Sequence, residues 1–127
     1  MSFKKYENSA DSVAMQVSEL PPPPQYREYF ALCLIKSRYL MLSGGMDQSG
    51  KRCDNVWLFD TATGEWVTSS AYPNLKTARS SHSSCASESK AFVYGGVGVD
   101  TIEYLPLEEK RDWRGRVKQP EWTSFAL

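Results

Sequence analysis

Residues 39–45 read Tyr-Leu-Met-Leu-Ser-Gly-Gly, and residues 91–96 read Ala-Phe-Val-Tyr-Gly-Gly. Each stretch is a short apolar run that ends in a glycine pair, and Gly95 follows Gly44 by 51 residues. Continuous apolar runs of this length are typical of strands that are covered on both faces. Glycines adopt backbone conformations closed to other residues and let a neighbouring segment approach closely. The two stretches therefore predict a repeated, all-β architecture.

The repeat extends in both directions from the glycine pairs. The matched segments are residues 31–35 with 82–86, residues 56–60 with 101–105, and residues 65–66 with 121–122. Differences in length between the two copies fall between these segments, which is where loops vary. Each copy thus predicts four short antiparallel strands, a to d, with the glycine pair after strand b and a Glu-Trp pair on strand d.

A glycine pair, a spaced aromatic residue and a tryptophan in this order resemble the kelch repeat, a unit of about 50 residues. The residues that carry the resemblance are Gly44, Gly45, Trp57, Phe59 and Trp66 in the first copy and Gly95, Gly96, Tyr104 and Trp122 in the second. The Arg-x-x-His pattern of Arg79 and His82, which leads into strand a, is also frequent in that family. The resemblance covers residues 27–127 and implies two four-stranded blades of a β-propeller, in which the motif residues are structural.

The resemblance divides the chain into four parts. Residues 1–12 are expected to be a flexible tail, residues 13–26 an additional d strand with a proline-rich loop, residues 27–76 the first blade and residues 77–127 the second. The alternative for the additional strand is a disordered tail. The proline run at residues 21–24 is interpreted as a stiff loop, and its alternative is a polyproline ligand for an SH3 or WW domain.

Two blades are fewer than a propeller needs. Propellers have about 4–8 blades around a channel, and repeat proteins need at least about three units to bury their surfaces. Two blades alone would leave apolar faces open. We therefore expect that copies of the chain close a ring, that the chain is part of a longer one, or that it docks against another protein.

Composition excludes several classes of function. The 127 residues include 15 Lys+Arg and 15 Asp+Glu, so the formal charge is zero, which argues against nucleic-acid or anionic-membrane partners. The apolar runs are far shorter than the ~20 residues of a membrane span, and the N-terminus has no signal-peptide core. The three cysteines, Cys33, Cys53 and Cys85, have no disulfide-scaffold or metal-site spacing. This spacing indicates reduced thiols in a cytoplasmic or nuclear protein, and we predict a cytoplasmic location.

No catalytic, cofactor-binding or metal site is predicted. His82 is the only histidine, and it is expected to be a hydrogen-bonded residue of strand a rather than a base or a ligand. Cys33 and Cys85 are expected to be small buried residues. Cys53 lies beside Lys51 and Arg52. This basic setting predicts that Cys53 is the most reactive of the three thiols.

The function predicted for this chain is a non-catalytic kelch-type module that binds protein partners through the loops between strands. The candidate contacts are Gln48, Lys51 and Arg52 in the b–c loop, Arg27 and Arg79 before the two a strands, and Trp113 in the long loop at residues 106–120. Arginine pairs bidentately with carboxylates, and an exposed tryptophan often marks a contact site. The long loop as a whole is interpreted as a solvated, mobile segment, and its alternative is a helical cap or a partner-binding tongue. Two other functions stay open: part of a kelch-type propeller enzyme, or a structural subunit of a larger assembly such as the cytoskeleton.

Overall fold

The computed structural model describes residues 4–8, 15–68 and 72–127, with the backbone alone for residues 4–8 and 15–19. This part of the chain forms strands and turns, and it contains no helix that is long and apolar enough to cross a membrane. The strands are β1 (Lys4–Asn8), β2 (Met15–Glu19), β3 (Ala31–Ile35), β4 (Tyr39–Ser43), β5 (Val56–Asp60), β6 (Glu65–Trp66), β7 (Ser83–Ala86), β8 (Lys90–Tyr94), β9 (Thr101–Pro106), β10 (Lys110–Arg111), β11 (Val117–Lys118) and β12 (Thr123–Ala126).

Two four-stranded antiparallel sheets make up most of the fold. The first sheet has the order β3-β4-β5-β6, and the second has the order β7-β8-β9-β12. Both glycine pairs follow the second strand of their sheet, and Gly44 and Gly95 have positive φ angles of 60° and 70°. The prediction of an all-β fold with two four-stranded antiparallel units is confirmed.

The strand pairing corrects one part of the repeat. Phe59 lies opposite Leu40, and Leu105 lies opposite Ala91, which follows Leu40 by 51 residues. The counterpart of Phe59 is therefore Leu105, and the match of Phe59 with Tyr104 is wrong by one residue. Because side chains alternate between the faces of a strand, this shift places Tyr104 on the opposite face of the second sheet.

One face of each sheet packs against the other, and the two faces share a core. The buried residues of this core are Ile35, Met41, Val56 and Leu58 from the first sheet, Ala91, Val93, Leu105 and Trp122 from the second, and Leu75 and Leu107 from the connecting segments. Burial of each aliphatic side chain stabilises the fold by about 1.5–3 kcal/mol. The two sheets are therefore energetically dependent on each other.

The segments that precede each sheet repeat as well, and we call residues 20–30 and 72–82 the first and second lead-in. The carbonyl of Pro21 accepts a hydrogen bond from the indole of Trp66 at 3.1 Å, and the carbonyl of Pro73 accepts one from Trp122 at 2.9 Å. Pro23 is buried, whereas Pro21, Pro22 and Pro24 are exposed. The stiff-loop interpretation of the proline run stays a prediction.

A two-stranded hairpin precedes the first lead-in. β2 lies within the segment for which an additional strand is expected, and it pairs with β1. β1 lies within residues 1–12, for which a flexible tail is expected from the sequence. The pairing runs from Lys4 opposite Glu19 to Asn8 opposite Met15, and it gives the peptide groups on the inner edge of each strand their hydrogen-bond partners.

Candidate functional site

The candidate contact residues lie at two ends of the molecule. The b–c loop at residues 46–54 connects β4 to β5, whereas Trp113 belongs to the segment that connects β9 to β12. Antiparallel strands place b–c and c–d connections at opposite ends of a sheet. Gln48, Lys51 and Arg52 therefore lie on a different surface from Trp113.

Arg79 is buried and is used inside the chain. Its guanidinium donates to Glu103 Oε2 at 2.6 Å and to Thr101 Oγ1 at 3.0 Å, and both ion-pair side chains are 0% exposed. The Glu103 carboxylate also accepts the backbone N–H groups of Lys76 and Thr77 at 2.6 and 3.2 Å. Arg79 is thus not available to a partner, because its donors hold the second lead-in against the second sheet.

Arg27 has the equivalent role in the first lead-in. It precedes Arg79 by 52 residues and is buried. Its guanidinium donates to Asn55 Oδ1 at 2.8 Å and lies 4.8 Å from the centroid of the Trp57 ring. The strand pairing makes Trp57 the counterpart of Glu103, so an aromatic face replaces the carboxylate. The Arg27 side chain therefore holds the first lead-in against the first sheet, and its charge is not exposed to solvent.

The b–c loop is an ordered turn with polar side chains on its outside. Asp47 Oδ1 accepts the hydroxyl of Ser49 at 2.7 Å and the backbone N–H of Lys51 at 3.0 Å. The hydrogen bond from Ser49 is the main reason that the pKa of Asp47 lies below its usual value. Gln48, Lys51 and Arg52 are exposed, as a contact surface requires.

The long loop contains a small hairpin in which β10 pairs with β11. Asp112 organises its turn, since Oδ1 accepts the backbone N–H groups of Arg114 and Arg116 at 2.8 and 3.0 Å, and Oδ2 accepts Nε of Arg116 at 2.9 Å. These bonds, with the backbone N–H of Arg116 first, lower the pKa of Asp112. Trp113 is 85% exposed at the tip, and the Arg114 guanidinium lies 4.5 Å from its ring centroid.

The hairpin is basic. Its five cations are Lys110, Arg111, Arg114, Arg116 and Lys118, and its one anion is Asp112. Arg111 also pairs with Glu109 at 2.6 Å, at exposed positions, where an ion pair contributes little. The exposed indole of Trp113 therefore lies on a hairpin with a net positive charge.

His82 lies in the contact between the sheets. Nε2 is 3.0 Å from Ser43 Oγ, and Nδ1 is buried without a partner among the described residues. Burial, followed by the nearby charge of Arg79, lowers the pKa of His82 to about 4. The ring is therefore neutral at physiological pH and acts as a packing residue with one side-chain hydrogen bond.

The cysteines differ from their expected settings. Cys53 is buried and its thiol donates to the Lys51 carbonyl at 3.5 Å, whereas Cys85 is exposed. Cys33 is half-buried, and burial raises the pKa of its thiol. Cys85 is thus the accessible thiol, whereas the strand that carries Cys33 packs against β7.

The chain matches none of the sequence models of known protein families. Within residues 4–8, 15–68 and 72–127, no three His, Cys, Asp or Glu side chains come together as a metal-binding group.

Sequence reasoning found the cations and missed the carboxylates that organise them. Asp47 and Asp112 each begin a turn in which a glycine three residues later, Gly50 or Gly115, donates its N–H to the aspartate carbonyl. The Asp-x-x-Gly spacing is a turn signal that the sequence carries. Glu103 stands within an apolar strand, and a buried carboxylate requires a partner, but only the fold shows that the partner is Arg79.

Proposed function

We propose that this chain is a non-catalytic protein-interaction module of the kelch type, and that it binds its partner through the hairpin at residues 110–118. The observation that carries the proposal is the 85% exposure of Trp113. A tryptophan side chain buries about 150–250 Å² when it is covered, and such residues dominate the binding energy of interfaces.

The hairpin is preorganised for binding. Asp112 fixes the turn with three hydrogen bonds, and the guanidinium of Arg111 donates to the carbonyl of Gly115 at 2.8 Å. An ordered loop loses little conformational freedom when a partner binds, so more of the contact energy becomes affinity.

The charge of the hairpin indicates the chemistry of the partner. The hairpin carries five cations and one anion, and the guanidinium of Arg114 lies beside the Trp113 ring. A protein surface or peptide with an apolar pocket bordered by Asp or Glu would complement both features, because opposite charges steer association and aromatic anchors supply the affinity. We take acidic protein segments as the partner class.

The kelch assignment is supported by the strand order of the two sheets and by contacts that recur in both copies, such as Trp66 with Pro21 and Trp122 with Pro73. We also propose a cytoplasmic location, which the three free cysteines favour.

A displayed library of random peptides, selected on the immobilised chain, tests the proposal. We expect enrichment of acidic peptides with an aromatic or aliphatic centre. Trp113→Ser should weaken their binding at least about 30-fold, the loss of a residue that contributes 2 kcal/mol or more.

Tyr26→Ser is the matched control, because Tyr26 is also an exposed aromatic residue but lies in the first lead-in. Its variant should bind the selected peptides like the unaltered chain. Enriched peptides that bind Trp113→Ser as tightly as the unaltered chain would overturn the proposal, and so would a selection without enrichment.

A further inference from the structure

A groove lies beside the hairpin that carries Trp113. It has a volume of about 380 Å³. It is lined by Lys110 and Lys118 of the hairpin, by Lys36 between β3 and β4, and by Tyr72 and Leu107. Pockets of roughly 300–1,000 Å³ hold drug-sized molecules, so this groove has room for a few side chains of a peptide.

Part of the groove wall is apolar. Leu107 is buried and belongs to the core that the two sheets share, and Tyr72 packs against that core. Pro106 and Pro120 are half-buried and also line the groove. An aliphatic side chain that covered this wall would remove apolar surface from water, which stabilises a complex in proportion to the area covered.

Two lysines of the groove lie directly opposite each other. Lys110 pairs with Lys118 in the β10–β11 register, and both residues line the groove. Side chains at such positions have Cβ atoms about 4.5–5.5 Å apart, and like charges there destabilise the pairing. Among the described residues, no acidic side chain forms an ion pair with either lysine. A carboxylate from a second molecule would attract both ammonium groups and offset their repulsion.

The acidic residues of the groove limit how many carboxylates a ligand can carry. Glu109 pairs with Arg111 at 2.6 Å. Glu108 and Glu121 are exposed and line the groove as well, so they repel a run of acidic residues. Repulsion of this kind contributes to specificity as much as attraction does. The groove therefore favours a segment in which a single acidic residue adjoins an aliphatic one.

The groove is close enough to Trp113 for one short segment to contact both. Trp113 follows Lys110 by three residues, so their Cα atoms are at most about 11 Å apart. An extended ligand rises about 3.3 Å per residue. It therefore covers this distance with about three residues.

We propose that this groove holds an aliphatic residue of the partner against Leu107 and Tyr72, and that an adjacent acidic residue lies between Lys110 and Lys118. The residue that covers Trp113 lies about three positions away along the partner. The inference rests on the proposed function, because it assigns a second contact to the same partner segment. It adds a requirement that net charge alone does not impose, which is one acidic residue at a fixed place in the segment.

Lys118→Glu tests the proposal. The variant places opposite charges at the paired positions of β10 and β11, which stabilises the hairpin, so a loss of binding does not come from its unfolding. Peptides selected on the unaltered chain should bind this variant at least about tenfold more weakly, because attraction of the carboxylate is replaced by repulsion. A second selection, on immobilised Lys118→Glu, should replace the acidic residue by Lys or Arg and keep the aliphatic neighbour.

Lys51→Glu is the matched control, because it makes the same change of charge on the surface away from the hairpin. Its variant should bind the selected peptides within about twofold of the unaltered chain at physiological ionic strength, where distant charges are screened. Equal losses in the two variants would overturn the proposal, since they would show attraction by net charge alone. Selection of the same acidic residue on Lys118→Glu would also overturn it.

The two proposals fail in different ways. Peptides that lose affinity for Trp113→Ser but bind Lys118→Glu like the unaltered chain would overturn the groove contact and leave the proposed function in place. Peptides that lose affinity for Lys118→Glu but not for Trp113→Ser would support the groove contact and overturn the role of Trp113. A selection without enrichment would overturn both.

Discussion

The Arg79–Glu103 pair shows that a loop arginine can serve folding rather than recognition. Both side chains are 0% exposed, and the carboxylate also accepts two backbone N–H groups of the second lead-in. Loss of one partner from a buried ion pair typically costs about 3–5 kcal/mol, because the other charge is left uncompensated. In the sequence, Arg79 and the exposed Arg52 both read as loop cations, and only their burial separates them.

His82 predicts a pH dependence of stability at the residue scale. Its pKa is lowered to about 4 in the folded chain, against about 6.5 when unfolded, so the unfolded state binds a proton first as the pH falls. The free energy of unfolding is therefore highest above about pH 6.5, and it decreases by about 2–3 kcal/mol as the pH falls to 4. Urea unfolding at pH 7 and pH 4.5 measures this loss.

His82→Gln retains a side-chain partner for Ser43 and does not titrate, so it should lose less stability than the unaltered chain over this interval. Asp60 does not confuse the comparison. Its pKa is lowered to about 2, first by the hydrogen bond from Arg38, so its contribution disappears only at more acidic pH, below about 4. Equal losses in the two proteins would contradict the prediction for His82.

At the scale of the elements, equivalent strands differ by what packs beside them. Strand positions and the glycine pairs follow from local patterns, and the sequence predicts them well. The pairing register of β9 does not follow from such local patterns, because a one-residue shift changes which side chains face the core. Leu105 is therefore the buried residue at the position of Phe59 in the first sheet, for which the sequence analysis predicted Tyr104.

Gly44 and Gly95 form a matched pair for a second prediction. Alanine at either site adopts an unfavourable positive φ, at a cost of roughly 1–2 kcal/mol. At Gly44 the added Cβ also overlaps the Arg79 carbonyl, whereas at Gly95 it meets open space. Overpacking against backbone typically costs a further 1–3 kcal/mol, so Gly44→Ala should be the less stable variant by about 2 kcal/mol.

Urea unfolding measures the free energy of unfolding of both variants. Equal free energies of unfolding for the two variants would show that the second lead-in leaves room for a Cβ at Gly44.

At the scale of the whole molecule, the shared core makes the two sheets one folding unit. Leu105 and Ile35 belong to different sheets but to the same buried cluster. The second lead-in ties them further, because the N–H of Leu75 donates to the Asp54 carbonyl at 2.8 Å while the N–H of Lys76 donates to Glu103 at 2.6 Å. Unfolding should therefore be a single transition.

Leu105→Ala, in a chain that also carries Trp113→Phe and Trp122→Phe, tests this cooperativity. The tryptophans that remain, Trp57 and Trp66, then report on the first sheet alone. Removal of the buried Leu105 side chain should cost about 2–5 kcal/mol, and the fluorescence and far-ultraviolet circular dichroism transitions should shift together. A fluorescence transition that stays in place would show that the first sheet unfolds independently.

The amino-acid sequence by itself determined the strands of the two four-stranded sheets and their twofold repeat. Alternation of apolar residues and the positions of glycine act over a few residues, so they are legible in one dimension. The tertiary structure alone decided that Arg27 and Arg79 are buried, that Leu105 rather than Tyr104 faces the core, and that Cys85 is exposed where Cys33 is covered. Each of these depends on which sheet lies beside which, because burial and register are set by neighbours that are distant along the chain.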